Sequence, residues 1–330
     1  MRKNRILIVT DKDEPSVARV IDLLQKMNEL PCRLDVGTIA DLQSKIHLCM
    51  KDGVFTGHIQ CADNTEVEMD AVKSVWVRRP QAVSVSETRE AIEKQFIEDE
   101  FTSSLWSLYT CLDSVYWMNH PLHARHLLEH NKLFQLKLAV SADLIIPDTL
   151  VTNDAVKLIA FCERHGKSIA VKAVRSRIFQ EDGGSATGIY TNKVSLDYLK
   201  THADDIGVAP IMAQEYIPKK LELRITIIGQ DVLTCAIHSQ DSERTKDDWR
   251  RYDFENVKHE RYKLPDNVIL QLLEFMRKCH LSFGAVDMIL TPDGRYVFLE
   301  VNPSGQFGWI ENLTGLPISQ SIANTLAKGG

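Results

Sequence analysis

Asp287, Glu300 and Asn302 carry oxygen donors at a spacing that suits a metal ion. Ala285-Val286-Asp287-Met288-Ile289 and Phe298-Leu299-Glu300-Val301-Asn302 alternate or run apolar as strands do, and Thr291-Pro292-Asp293-Gly294-Arg295 between them has the composition of a tight turn. A hairpin centred on that turn sets Asp287 opposite Glu300. Asn302, two residues further along its strand, shares the same face. Three oxygen donors then cluster on a sheet otherwise made of Val, Ile, Leu and Phe. Hard cations such as Mg²⁺ take such sets, with water and phosphate oxygens completing the shell. The aligned aspartate, and the Pro303-Ser304-Gly305 that follows, separate this pattern from a polar face that merely alternates.

A second group of residues suits phosphate. Lys172 ends the apolar run Ser168-Ile169-Ala170-Val171, and an ammonium in such a strand needs an anionic partner. Gln180 to Gly188 follows as a turn rich in glycine and hydroxyls, in which Gly183, Gly184 and Ser185 free backbone N–H groups to converge on phosphate oxygens. Lys132, near a helix start, is a further candidate. Glu215-Tyr216-Ile217 precedes Pro218, and a strand that stops there leaves peptide groups free to pair with an adenine edge. Glu222 can accept from ribose hydroxyls, and Arg224 can reach a phosphate bidentately.

These residues need a sizeable scaffold, and the chain has one. Its 330 residues are enough for two or three lobes, and 44% hydrophobic with 25% charged residues is ordinary for a globular protein. A net charge of −6 argues against general nucleic-acid binding. Asp11 interrupts the apolar N-terminal run, and no later run approaches the roughly 18 residues of a membrane span. The seven cysteines are scattered, without a Cys-x-x-Cys, as in a reduced cytoplasmic protein.

The elements alternate as in an open α/β sheet at the N-terminus. Residues 5–10 read as a strand. Glu14 to Asn28 read as a helix burying Val17, Val20, Ile21, Leu24 and Met27. Ser74 to Pro80 form a strand on which Arg78 and Arg79 point to opposite faces, so that at most one faces a cleft and the other is structural. A helix from Glu87 to Cys111 is expected to bury Ile92, Phe96, Phe101, Leu105 and Leu108. Beyond a boundary near Pro121, helices are expected from Asn131 to Val140 and from an Asn153 cap to Arg164. Strands are expected at Ile189 to Thr191 and Met212 to Pro218, a hairpin around Gly229, a helix over 266–280 and a last helix after Pro317. His120, His123, His126 and His130 lie at helical spacing, but no carboxylate or cysteine completes a metal set.

The order Lys132, Lys172, glycine-rich loop, Gln-Glu-Tyr-Ile, Glu-x-Arg, Asp287, Glu300-x-Asn302 resembles the ATP-grasp superfamily. The resemblance implies an ATP-grasp fold of α/β and α+β lobes behind an N-terminal open α/β domain, divided as 1–122, 123–214 and 215–330. By position it places Lys132, Lys172, Gly183, Gly184 and Ser185 at the phosphates, Glu215, Tyr216 and Ile217 at the adenine, and Glu222 at the ribose. Mg²⁺ falls to Asp287, Glu300 and Asn302. The implied chemistry is transfer of the ATP γ-phosphoryl to a carboxylate, then attack by a nucleophile on the acyl phosphate.

Val75-Trp76-Val77-Arg78-Arg79, Asn131 to Leu136, Ile146 to Asn153, Asp247-Asp248-Trp249-Arg250-Arg251 and Phe298 to Gln306 narrow the resemblance to the microviridin-type maturases. Those enzymes join Asp or Glu side chains of a ribosomally made precursor peptide, leader plus core, to Ser/Thr hydroxyls or Lys amines. On that reading Arg250 holds the peptide carboxylate or its acyl phosphate, and Arg224 and Lys172 act beside it. No nucleic acid or membrane partner is implied, and a homodimer stays open. A ligase adding free amino acids, and a non-catalytic ATP-binding protein of the same fold, are the competing readings.

Overall fold

The computed structural model describes residues 4–11, 14–40, 43–85, 89–112, 114–129, 131–175, 178–180 and 186–330. The first layer is β1 (Arg5–Thr10), α1 (Pro15–Lys26), β2 (Leu30–Asp35), α2 (Val36–Ala40), β3 (Lys45–Lys51), β4 (Val54–Gln60), β5 (Glu66–Glu68), β6 (Val72–Val77), α3 (Ala91–Cys111) and β7 (Tyr116–Met118). β2-β1-β6-β7 form a parallel sheet, and β3-β4-β5 an antiparallel one that the alternation pattern did not announce. Ile6 and Ile8 face α1 and the C-terminal helix, while Leu7 and Val9 face α2 and α3. Burial on both faces explains why β1 is continuously apolar.

A π-helical segment, Leu122–Glu129, leads into α4 (Lys132–Ser141), whose cap Asn131 accepts from the Phe134 N–H. Next come β8 (Thr149–Thr152), α5 (Ala155–Arg164), β9 (Ser168–Lys172), the hairpin β10 (Ile178–Gln180) and β11 (Ala186–Gly188), β12 (Asn192–Ser195), α6 (Leu196–Thr201), α7 (Ala203–Ile206) and β13 (Ile211–Glu215). Their antiparallel sheet has the order β12-β9-β13-β8.

The last unit holds β14 (Leu221–Ile228), β15 (Asp231–Ile237), β16 (His259–Tyr262), α8 (Asp266–Lys278), β17 (Phe283–Leu290), β18 (Tyr296–Asn302), α9 (Gly308–Thr314) and α10 (Ile318–Lys328), with strand order β16-β15-β14-β17-β18. Leu223, Ile225, Val286, Met288, Phe298 and Val301 project from one face into a core shared with α4 and α8. The alternate residues, among them Glu222, Arg224, Asp287 and Glu300, are left facing the central unit. α10 packs against α1 and β6, so the C-terminus closes back on the first layer.

Several expectations need correction. Ile92 and Phe96 are 84% and 64% exposed, because α3 meets the body only through its second half, at Phe101, Leu105 and Leu108. Met27 lies beyond the end of α1 and is 37% exposed. α5 is capped by Asp154, which accepts from the N–H groups of Val156 and Lys157, not by Asn153. Ile189 to Thr191 are an irregular link between β11 and β12, not a strand. β6 ends at Val77, one residue before the paired arginines.

Candidate active site

The hairpin of β17 and β18 pairs Asp287 with Glu300, as its composition predicts, but through a device the composition does not reveal. Leu290 pairs with Tyr296 and Met288 with Phe298, a register that would bring Leu299 opposite Asp287. A bulge leaves Leu299 unpaired and moves Glu300 into place. Leu299 and Glu300 consequently both line the cleft, while Phe298 and Val301 stay in the core.

Two clamps hold this hairpin from neighbouring elements. Gln135 of α4 donates to the Val301 and Leu128 carbonyls at 3.0 and 2.8 Å and accepts from the Val301 N–H at 2.9 Å. Asn119, just past β7, donates to the carbonyls of Phe283 and Pro303 at 2.7 and 2.9 Å. Its Oδ1 accepts from the N–H groups of Ser282 and Phe283. Gly305 is required by close approach: a Cβ there would stand 2.3 Å from Ala285 Cβ and 2.8 Å from Arg224 Nη2.

The carboxylate pair has an uneven electrostatic environment. Burial pushes the Asp287 carboxyl up; Arg224, donating to its Oδ2 at 2.8 Å, opposes the shift, and the Glu300 charge adds to it. Burial also works against the Glu300 charge, but Lys132, Lys172 and Arg250 outweigh it and hold the group well below the usual carboxylate range. Lys132 lies 3.0 Å from Glu300 Oε2, and Arg250 Nη1 lies 3.9 Å from Oε1. Lys172, at the end of β9, is driven down to about 8, burial lowering it and Glu300 pulling it back.

A loop between β15 and β16 closes over this centre. Asp248 grips Arg250 fork to fork, Nε to Oδ1 at 2.8 Å and Nη2 to Oδ2 at 2.6 Å, and also accepts from the Thr191 N–H at 2.8 Å. Asp247 accepts from the Tyr216 hydroxyl at 3.1 Å, and burial together with Asp247 pushes that phenol up to about 12. Lys219 donates to Glu222 Oε1 at 2.9 Å and to the carbonyls of Lys246 and Asp247. Burial raises the Glu222 carboxyl, with Lys219 opposing. The Arg224 guanidinium lies 5.5 Å from the centre of the Trp249 ring.

Two cavities meet at these residues. One is lined by residues that include Lys172, Glu215, Tyr216, Ile217, Glu222 and Leu299, and mixes apolar walls with polar groups as a nucleoside site does. The other, of about 620 Å³, is lined by Arg224, Asn302, Tyr190, Tyr252, Trp309 and Arg79. Asp287, Glu300, Trp249 and Arg250 belong to both. Asn302 faces the second, its Oδ1 accepting from the Ser304 N–H at 2.9 Å.

The residues fit a nucleotide and a hard cation. Among the described residues Glu222 Oε2 and Asp287 Oδ1 are buried acceptors without a hydrogen-bond partner, and both residues line the first cavity. The expected phosphate, adenine, ribose and metal residues thus converge, Lys132 through its contact with Glu300. Gly183, Gly184 and Ser185 lie outside the described residues. Lys219, Asp247, Asp248, Gln135 and Asn119 were not foreseen as parts of the site. The pair Asp247-Asp248 beside Trp249-Arg250 was the available signal; for Gln135 and Asn119 there was none, since their partners are distant carbonyls and N–H groups.

Residues 5–125 match the model of the MvdD pre-ATP grasp domain, and residues 129–326 that of the RimK-like ATP-grasp domain. The chain is similar to a Chryseobacterium gregarium RiPP-associated ATP-grasp ligase solved with ADP and a leader and core peptide, at 30% identity, 99% and 97% coverage of the two chains and a TM-score of 0.89. It is also similar to two Microcystis aeruginosa MRC macrocyclases. MdnC, bound with its precursor peptide MdnA, is 30% identical with 98% and 99% coverage and a TM-score of 0.84. MdnB is 28% identical with 98% and 99% coverage and a TM-score of 0.77. No curated protein matches the chain by sequence. Among the described residues no helix is long and apolar enough to cross a membrane.

Proposed function

The chain belongs to the RimK-like ATP-grasp family, and we propose that it is an ATP-dependent ligase that closes macrocycles in a ribosomally made precursor peptide. The observation that carries this reading is the meeting of two cavities at one charged centre: a smaller site of mixed apolar and polar lining and a larger cleft share Asp287, Glu300, Trp249 and Arg250. A γ-phosphoryl at their junction can reach a carboxylate entering from the cleft. We assign the units as 1–122, 123–214 and 215–330, with ATP between the last two.

In this mechanism the peptide links of Glu215 to Ile217 receive the adenine, Glu222 accepts from the ribose, and Lys172 neutralises phosphate charge. Asp287, Glu300 and Asn302 would hold Mg²⁺, which when bound would supply charge stabilisation to the transferring group. Arg250, fixed by Asp248, and Arg224, fixed by Asp287, orient the Asp or Glu carboxylate of the peptide for in-line attack on the γ-phosphorus. The products of that step are ADP and an acyl phosphate. A Ser/Thr hydroxyl or Lys amine of the same peptide then attacks the acyl carbon and loses its proton, and the acyl C–O bond breaks, its oxygen and electron pair leaving as inorganic phosphate.

Mass spectrometry of a precursor incubated with ATP and Mg²⁺ tests the reading. The suitable peptide is short, rich in Asp/Glu and in Ser/Thr or Lys, and encoded beside the enzyme. Loss of about 18 Da per ring, with one ADP and one phosphate released, is expected. A gain of about 80 Da would make the protein a kinase, and a gain of an amino-acid residue would make it an elongating ligase. Hydroxide then distinguishes esters, which hydrolyse, from amides.

A further inference from the structure

The Trp76-Val77-Arg78-Arg79-Pro80 run has no part in the mechanism above, yet it builds a second charged site. Arg78 is 1% exposed. Its backbone N–H donates to the Val9 carbonyl at 2.8 Å, and its Nη1 donates to the carbonyls of Ser304 and Gly305, both at 3.1 Å. The Phe307 ring lies 5.0 Å from its guanidinium carbon. Among the described residues Nε and Nη2 have no hydrogen-bond acceptor. Glu14, at the start of α1, stands 3.6 Å from Nη2, and burial with this incomplete compensation lowers Arg78 to about 10.

Arg79 competes for the same carboxylate at 4.0 Å, too far for a hydrogen bond. Among the described residues Glu14 is the carboxylate within ion-pair reach of either arginine. Among the described residues the pair therefore holds one cation more than it has carboxylates within ion-pair reach, and Arg79, whose side chain is 39% exposed, is the more accessible of the two. Its backbone has φ +46°, a conformation that non-glycine residues adopt at a cost.

Arg79 stands between two spaces. It lines the reaction cleft and also a chamber of about 500 Å³ at the start of α1, and Gln81, Gln306 and Trp309 are shared in the same way. A peptide whose reacting carboxylate lies at Arg250 can continue past Trp309 into this chamber. We propose that Arg79, backed by the Arg78–Glu14 pair, is a specificity-determining subsite for a second acidic side chain of the substrate peptide, distinct from the carboxylate being activated. Arg78 supports the subsite from beneath by holding Glu14, which leaves the Arg79 guanidinium open to a bidentate carboxylate.

The inference rests on the peptide-ligase reading, so its test is a binding measurement that does not need turnover. Calorimetry with ADP, Mg²⁺ and the precursor peptide compares the parent protein with Arg79→Ala and Arg79→Lys. Arg79→Ala is expected to weaken peptide binding roughly tenfold, with Arg79→Lys between them and ADP affinity unchanged. Peptides in which each Asp or Glu is replaced singly by Asn or Gln complete a double-mutant cycle. One replacement, at a residue that is never cross-linked, is expected to weaken the parent by the same factor and leave Arg79→Ala unaffected.

Unchanged peptide affinity in Arg79→Ala, or strictly additive losses at every acidic position, overturns the proposal. So does competition by millimolar acetate or inorganic phosphate that equals the peptide effect, which would make the site one for a free anion. Peptide binding with an intact Arg79 effect but no mass loss sinks the ligase reading and leaves the subsite standing.

Discussion

Lys172 gives nucleotide binding a pH dependence whose size follows from its surroundings. Burial lowers its ammonium to about 8, with Glu300 opposing and Lys132 adding to the shift. A phosphate beside it favours the protonated form, so the bound state has the higher pKa. Binding then takes up a proton wherever the free group has lost its own, and affinity is full below about pH 8 and falls above it. From the value of about 8, the free protein is about nine-tenths protonated at pH 7 and about one-tenth at pH 9. The Kd for nucleotide therefore rises about tenfold between those pH values, or about 1.4 kcal/mol. Calorimetry with ADP and Mg²⁺ in two buffers of different ionisation enthalpy reads both the Kd and the proton uptake. Lys172→Arg keeps its charge, and its Kd should stay nearly level over the range. Lys172→Met should bind ADP weakly at both pH values while binding peptide much as the parent does. A parent Kd that is the same at pH 7 and pH 9, or an equal rise in Lys172→Arg, refutes the assignment of Lys172 to the phosphates.

The carboxylate pair should separate stability from activity. Because burial disfavours the Asp287 charge, Asp287→Asn is expected to keep or raise the melting temperature while product formation falls by about two to three orders of magnitude. Glu300, whose pKa is depressed by three cations, contributes stability above its unfolded pKa of about 4.3 that is lost as acid protonates it, so Glu300→Gln should lower the melting temperature at pH 7 as well as activity. Undiminished turnover in either variant would falsify their assignment as metal ligands. Gln135→Leu leaves the Val301 N–H and carbonyl unpaired next to Glu300; chemical denaturation should show a loss of about 1–3 kcal/mol for each group left unsatisfied.

The order of the chemistry along the chain is legible in the sequence. The turn at Thr291–Arg295 can be read from composition because Pro, Asp and Gly restrict the backbone locally, and Glu300 and Asn302 share a strand face by a period of two. Lys172 is legible because an ammonium at the end of an apolar strand is costly without a partner, and Glu222 and Arg224 because they are the charged members of an alternating strand. Elements with a strong local period, such as α8 and the hairpin of β14 and β15, appear where that period places them. Tertiary structure decided what local chemistry cannot carry. The bulge at Leu299 depends on how β18 packs between α4 and the cleft, and turn composition alone would leave the register one residue short. α3 buries only its second half because the body it packs on ends there, which no helical periodicity encodes. Gln135 and Asn119 satisfy backbone groups more than 160 residues away, and their amides look like any surface amide until those strands arrive. The fork of Arg250 on Asp248 is local in sequence, but its direction toward Glu300 comes from packing the Trp249 loop over the sheet. Local propensity is written in neighbouring residues; the aim of a charged side chain is set by whatever the whole chain buries around it.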